Sequence, residues 1–161
     1  MPFYYSSPYT GTLTNAGGNA DLMTWEPADD KPLALVRFVI GQTSEVADAA
    51  EEAISISLIH MTATVTNSNG TAVTPTKRNS NDPAATATVE ANGATVSTTS
   101  GTSTVLEYWA WNMRGSPLVI EWPEEAWQPF CRQGEALIMR CDTTVADDVT
   151  ILIHAIHKEL G

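Results

Sequence analysis

Apolar and polar positions alternate with a period of two along most of this chain. Ile54, Ile56 and Leu58 fall on one side of an extended segment and Ser55 and Ser57 on the other, which predicts a half-buried antiparallel strand over Ala53 to Thr66. In Leu33 to Ile40, Val36, Phe38 and Ile40 share a face and Arg37 points the other way; Gly41 ends the run. Thr104 to Met113 reads as an aromatic strand carrying Tyr108, Trp109 and Trp111. After the turn residues Gly115-Ser116-Pro117, Leu118 to Trp122 puts Leu118, Ile120 and Trp122 on one face and stops at Pro123. Glu135 to Cys141 is a further strand, and Val149 to Lys158 is the last, with Val149, Ile151, Ile153 and Ala155 aligned. Nothing sustains a helical period; Ser44 to Glu52 is at most a turn or short helix. The expectation is an all-β, antiparallel β-sandwich, and the wide strand spacing with one long insertion favours a jelly roll over an immunoglobulin arrangement.

Two segments stand outside this pattern. Residues 62–104 form a polar insertion dominated by Thr, Ser, Ala, Asn and Gly, with turn chemistry at Asn67-Ser68-Asn69-Gly70, breaks at Pro75 and Asp82-Pro83, and weak strands at Thr86 to Val89 and Ala94 to Thr98. Such a segment cannot build a core of its own, so it lies over another surface or stays mobile. Residues 1–20 read as an extended N-terminal arm in which Phe3, Tyr4, Tyr5 and Tyr9 precede a Gly17-Gly18 hinge. The arm is either an edge strand on its own sheet or a docking element. Residues 21–161 then form a single sandwich domain. Removing residues 1–20 is expected to leave a folded protein that binds its assembly less well.

Charge narrows the choice of partners. Eight basic against nineteen acidic residues give a formal net charge of −11 over 161 residues, a field that repels nucleic acid and anionic membrane surfaces. Lys77-Arg78 is the one adjacent basic pair. No apolar run approaches the ~18 residues of a membrane-spanning helix. Met1-Pro2-Phe3-Tyr4-Tyr5 lacks the basic and apolar regions of a signal peptide, so synthesis in a host cytoplasm is expected. Cys131 and Cys141 flank one predicted strand; an extended segment between them would hold them roughly 33 Å apart, so both are read as reduced, part-buried thiols.

Catalytic chemistry is not legible. His154 and His157, three apart on a strand, point to opposite faces and cannot share an ion; with His60 they make no metal set. The doublets Asp29-Asp30, Glu51-Glu52, Glu124-Glu125 and Asp147-Asp148 sit at predicted turns as solvated charge, without the spacing of a calcium loop. No nucleophile elbow, P-loop or dinucleotide fingerprint occurs. No catalytic residue, metal or cofactor is assigned, and an enzyme is not expected. The tryptophans carry more. Trp109 and Trp111 share a face, and Leu106, Tyr108 and Ala110 on the opposite face are also apolar; one face should be core and the other a contact surface. Trp122 is read as core.

Several of these segments resemble a known family. They are Ile54 to Met61 (ISISLIHM), Asn69 to Asn79 (NGTAVTPTKRN), Asn81 to Ala87 (NDPAATA), Leu106-Glu107-Tyr108-Trp109, the Pro-rich loop near Trp122, Gln133 to Arg140 (QGEALIMR) and the closing Val149-Thr150-Ile151. Their order from about residue 30 onward is similar to that in the jelly-roll decoration, or cement, proteins of tailed bacteriophage capsids. The resemblance implies a virion structural protein on the outer surface of the head, partnered by the major capsid protein and by itself as a homodimer or homotrimer. The elements expected at interfaces are Phe3, Tyr4, Tyr5 and Tyr9 of the arm, Lys77 and Arg78 of the insertion, and Trp109 and Trp111. The alternative is a receptor- or glycan-binding sandwich of a phage tail or fibre, with Trp109, Trp111 or Trp127 stacking on sugars.

Overall fold

A computed structural model describes residues 1–14, 20–28, 30–44, 52–67, 69–93 and 95–161. The Gly17-Gly18 hinge, Asp29, most of the Ser44–Glu52 turn, Ser68 and Ala94 lie outside the described residues. In chain order the strands are β1 (Phe3–Leu13), β2 (Ala20–Glu26), β3 (Leu33–Gln42), β4 (Ala53–Met61), β5 (Val65–Thr66), β6 (Thr71–Ala72), β7 (Thr76–Lys77), β8 (Thr88–Ala91), β9 (Thr98–Thr99), β10 (Ser103–Asn112), β11 (Leu118–Glu121), β12 (Phe130–Cys131), β13 (Ala136–Cys141) and β14 (Val149–Glu159).

Eight of these build the sandwich. One sheet has the order β11-β3-β14-β1 and the other β10-β4-β13-β2. The first of the eight therefore pairs with the last, the second with the seventh, the third with the sixth and the fourth with the fifth, all antiparallel. That nesting is a long two-stranded ribbon rolled upon itself, a jelly roll. Between the sheets, Trp25 meets Phe38 edge to face at 6.4 Å amid Leu22, Leu35, Ile40, Ile54, Ile56, Leu58, Leu137, Ile151 and Ile153. The period-two apolar faces read from the sequence supply this core.

The insertion is consumed by its own molecule. β6 and β8 extend the second sheet beyond β2, and β7 extends the first beyond β1. Gly70 runs so close to β8 that a Cβ there would sit 2.6 Å from the Ala91 carbonyl oxygen. Near the β5–β9 pair, Val65 packs against Ile59, Met61, Ala136 and Ile138, a second small core on the outer face of β4 and β13. The predicted strand from Ala53 breaks at Met61 because Ala63 takes a left-handed backbone (φ 62°), which turns the chain over that face.

Two buried carboxylates fasten the insertion. Glu159 accepts hydrogen bonds from Thr86 N (2.7 Å), Ala87 N (2.8 Å) and Thr86 Oγ1 (2.9 Å). Asp21 takes Ser97 N (2.6 Å) and Arg140 Nε (2.6 Å), while Arg140 also donates to Ser97 O. Both acids are fully enclosed, and each of their four carboxylate oxygens accepts at least one hydrogen bond, as burial requires.

Of the two readings of the N-terminal arm, the structure shows the strand on its own sheet. Phe3–Leu13 is a sheet strand, paired with β14 from Phe3↔Glu159 to Leu13↔Val149 and with β7 at Tyr5 and Ser6. Tyr5, Ser7 and Leu13 point inward and are buried. Pro8 is tolerated because β7 ends at Ser6, leaving that stretch of β1 without a second neighbour to demand its missing N–H. The cysteines are more enclosed than expected: both are free and wholly buried, Cys131 in β12 and Cys141 at the end of β13. Burial pushes the Cys141 thiol up to about 11 and Cys131 higher still.

Candidate interaction surfaces

The expected interface residues separate into two groups. Tyr5 and Trp111 are core: Tyr5 stacks on His157 at 5.5 Å and donates to Pro83 O, and Trp111 donates its Nε1–H to Ser116 O. Neither reaches solvent enough to meet another molecule. Tyr9 and Trp109 are half-buried against the core, and Phe3 is half-buried at the start of β1. Trp109 packs edge to face on Trp122 at 6.2 Å, and Trp122 gives its Nε1–H to Glu107 Oε1 at 2.8 Å. Tyr4, Lys77 and Arg78 are exposed. Arg78 donates to Ser6 Oγ, and with Phe3 and Tyr4 it lines a shallow concavity of about 420 Å³.

Strand pairing builds an outer surface on the first sheet. One cross-strand row is Val119–Val39–His154–Pro8, and beside it Leu152 sits between Gly41 and Thr10. The next row is Glu121–Arg37–Ile156–Ser6, reaching Arg78 through Ser6. Val119 and Leu152 are 49% and 42% exposed, high for aliphatic residues in a sheet. A groove of about 300 Å³ lies along the first row, with Pro117 at one end. Arg37 pairs with Glu121 at 2.8 Å. Burial, then the Arg37 and Arg78 charges, lowers the His154 pKa, so His154 is neutral near pH 7. The surface is thus apolar, bordered by the Arg37–Glu121 ion pair and by Arg78, on a chain of net charge −11.

The second exposed feature is β10 itself. Among the described residues it pairs only with β4 and ends its sheet. A bulge between Val105 and Glu107 pushes Leu106 out, and Val105, Leu106 and Tyr108 are all exposed, Tyr108 at 67%. One face of this strand was expected to be core and the other a contact surface; Trp109 and Trp111, also expected at interfaces, turn inward, and Tyr108 and Ala110 turn outward.

A further concavity, of about 540 Å³, is lined by Glu26, Val65 and Glu135 among others. Burial, aided by Glu90, raises the pKa of Glu26 against the lowering effect of an Asn67 hydrogen bond. Burial also acts upward on Glu135, but the Arg132 N–H and His60 outweigh it and hold this carboxyl below its ordinary value; His60 Nε2 lies 3.1 Å from it. Among the described residues no three His, Cys, Asp or Glu side chains gather as a metal-holding set. Sequence reasoning missed Glu159, Asp21 and Arg140, because their partners lie 43 to 119 residues away.

No protein-family model matches the chain, and no curated protein does. Among solved structures it is similar to the D431N mutant VP2 protein of infectious bursal disease virus in derived T=1 particles, at 12% identity over 99% of this chain and 40% of that one, with a TM-score of 0.23. The infectious bursal disease virus Gx strain structure aligns at 12% identity over 98% of this chain and 42% of that one, with a TM-score of 0.21. The chain thus spans about two fifths of either virus protein, and at such TM-scores the jelly-roll assignment rests on the strand pairing alone.

Proposed function

We propose that this protein is a virion structural module, a decoration or cement protein that binds the outside of a bacteriophage head and holds neighbouring major capsid subunits together. The observation that carries the reading is the outer face of the first sheet. The Val119–Val39–His154–Pro8 row and Leu152 form an apolar surface bordered by Arg37 and Arg78, suited to an apolar patch with acidic neighbours. The remaining charge of an acidic chain suits a particle's exterior and opposes contact with packaged nucleic acid. The mechanism is thermodynamic. A ligand that binds only the closed lattice adds its binding free energy against separation of the capsomers, and many copies multiply the effect.

Heads assembled without the protein test this reading. Adding purified protein should coat them at hundreds of copies and raise the temperature at which they release DNA. Leu152→Glu should weaken coating at least tenfold while leaving the free protein folded. A handful of copies per particle, or heads equally heat-stable without it, would overturn the proposal. The tail or fibre reading draws on Trp127, which is 64% exposed; loss of glycan-array binding on Trp127→Ala would support it.

A further inference from the structure

We infer that the open edge of β10 pairs with β10 of a second copy of this chain, antiparallel about a two-fold axis near Tyr108, joining two sheets into one. The four sheet edges are unequal. On the β1–β2 side the insertion closes the sandwich with β7 and β6, strands of two residues each. On the opposite side the first sheet ends in β11 and β12, of four and two residues, flanked by Pro117, Pro123 and Pro129. The remaining edge is β10, ten residues long, with no Lys, Arg or Pro from Ser103 to Asn112. Of the devices that blunt an exposed strand, short length, Lys and Pro are missing here, while a bulge at Leu106 and the inward-turned Glu107 are present and leave the run Tyr108–Asn112 regular.

The occupant follows from charge and from main-chain geometry. Two molecules of charge −11 repel over most of their surfaces. Along β10 the sole ionisable carboxylate is Glu107, half-buried and held by Trp122 Nε1, so this strip lets a like-charged copy approach with least repulsion. It also offers a foreign acidic or basic partner no free counter-charge. Antiparallel pairing of a strand with itself is isologous and closes at a dimer. The regular runs Glu107–Asn112 and Ser103–Val105 would contribute roughly six to nine main-chain hydrogen bonds, within the range of a specific protein interface. The exposed Tyr108 rings, Val105 and Leu106 would cover the seam.

Self-pairing deepens the structural role proposed above and rests on that reading only for its purpose. It is measured on purified protein without heads, so failure of the dimer and failure of capsid binding are distinguishable. Sedimentation velocity from about 1 to 100 µM should show a monomer–dimer equilibrium. Tyr108→Lys and Leu106→Lys, both at exposed positions, should each raise the dissociation constant at least tenfold with unchanged circular dichroism. Amide hydrogen exchange along β10 should slow as concentration crosses that constant. A monomer at 100 µM, a trimer, unchanged association in folded Tyr108→Lys, or concentration-independent exchange in β10 would each overturn the inference. So would association abolished by Leu152→Glu and untouched by Tyr108→Lys.

Discussion

Acidification should destabilise this protein through one side chain, His157. Its ring is wholly enclosed, stacked on Tyr5 at 5.5 Å, and neither ring nitrogen meets a hydrogen-bond partner among the described residues. Glu159 lies near enough to favour the charged form, but burial dominates and lowers the pKa to about 4 from an ordinary 6.5. The sign follows directly. Above about pH 6.5 both folded and unfolded chains hold a neutral imidazole and no penalty exists. Between about 6.5 and 4 the unfolded chain binds a proton that the folded one refuses, so stability falls as the pH is lowered. The full difference of 2.5 units corresponds to about 3 kcal/mol. About 2 kcal/mol of it is spent by pH 5, before most carboxylates titrate.

Urea unfolding at pH 7.5 and 5.0 measures this. The wild-type protein should lose about 2 kcal/mol between the two from His157 alone, with a smaller loss of the same sign from His154, whose pKa is also lowered by burial and by Arg37 and Arg78. His157→Phe keeps an aromatic ring on Tyr5 and discards two unsatisfied nitrogens, so at pH 7.5 its stability should lie within about 1 kcal/mol of wild type or above it. Its loss between the two pH values should shrink by about 2 kcal/mol, and His154→Gln should remove a further, smaller part. A His157→Phe protein that loses as much stability as wild type between these pH values would refute the reasoning.

Other perturbations probe the fastenings of the insertion and the first strand. Glu159→Ala strips two buried backbone N–H groups and the Thr86 hydroxyl of their acceptor; urea unfolding should show a loss of about 3 kcal/mol or more, and limited proteolysis should find new cuts near Thr86. Asp21→Ala leaves Arg140 buried without its carboxylate and should cost about 3–5 kcal/mol, while Asp21→Ala with Arg140→Met should cost less than the sum of the singles in a double-mutant cycle. Deleting residues 1–13 removes the strand between β14 and β7 and should abolish the cooperative thermal transition, the reverse of what a dispensable arm would give.

How much of this was legible depended on which faces each strand buries. Strands β3, β4, β10, β11 and β14 carry an alternating apolar face and were readable by period, whereas β13, buried on both faces, was readable only as an apolar run between turns. β2 was not: Ala20 to Trp25 is buried on both faces, so alternation vanishes where it was sought. β1 hid behind Pro8 and Gly11 and behind Ser7, a small polar residue facing inward. The insertion was readable as a segment that must lie on something, but not as one that lies on β4 and β13. A signal existed in the unbroken apolar stretches Leu58-Ile59 and Leu137-Ile138-Met139, which say that these strands are covered on both sides. The long-range acids were beyond reach, since nothing local ties Asp21 to Arg140 or Glu159 to Thr86.

That double coverage also changes where contact surfaces lie. The aromatic leader and the bland loop, the segments best suited by composition to rest against neighbours, lie against their own molecule, on β14 and on the outer face of the second sheet, with Tyr4, Lys77 and Arg78 left exposed. Ile59, Met61, Ala136 and Ile138 show what that sheet would expose without its loop. The first sheet has aliphatic residues at the matching outward positions, Val39, Val119 and Leu152, and among the described residues no element lies over them. Aliphatic burial is worth about 25 cal/mol per Å² wherever it occurs, so the same driving force that seats the insertion on one face remains unspent on the other. The border of Arg78 and the Arg37–Glu121 ion pair then decides which surfaces take it up. A second acidic copy finds its least-charged approach at β10, whereas the open sheet face, with His154 neutral and Arg37 partly compensated by Glu121, favours a partner that brings both apolar area and carboxylates.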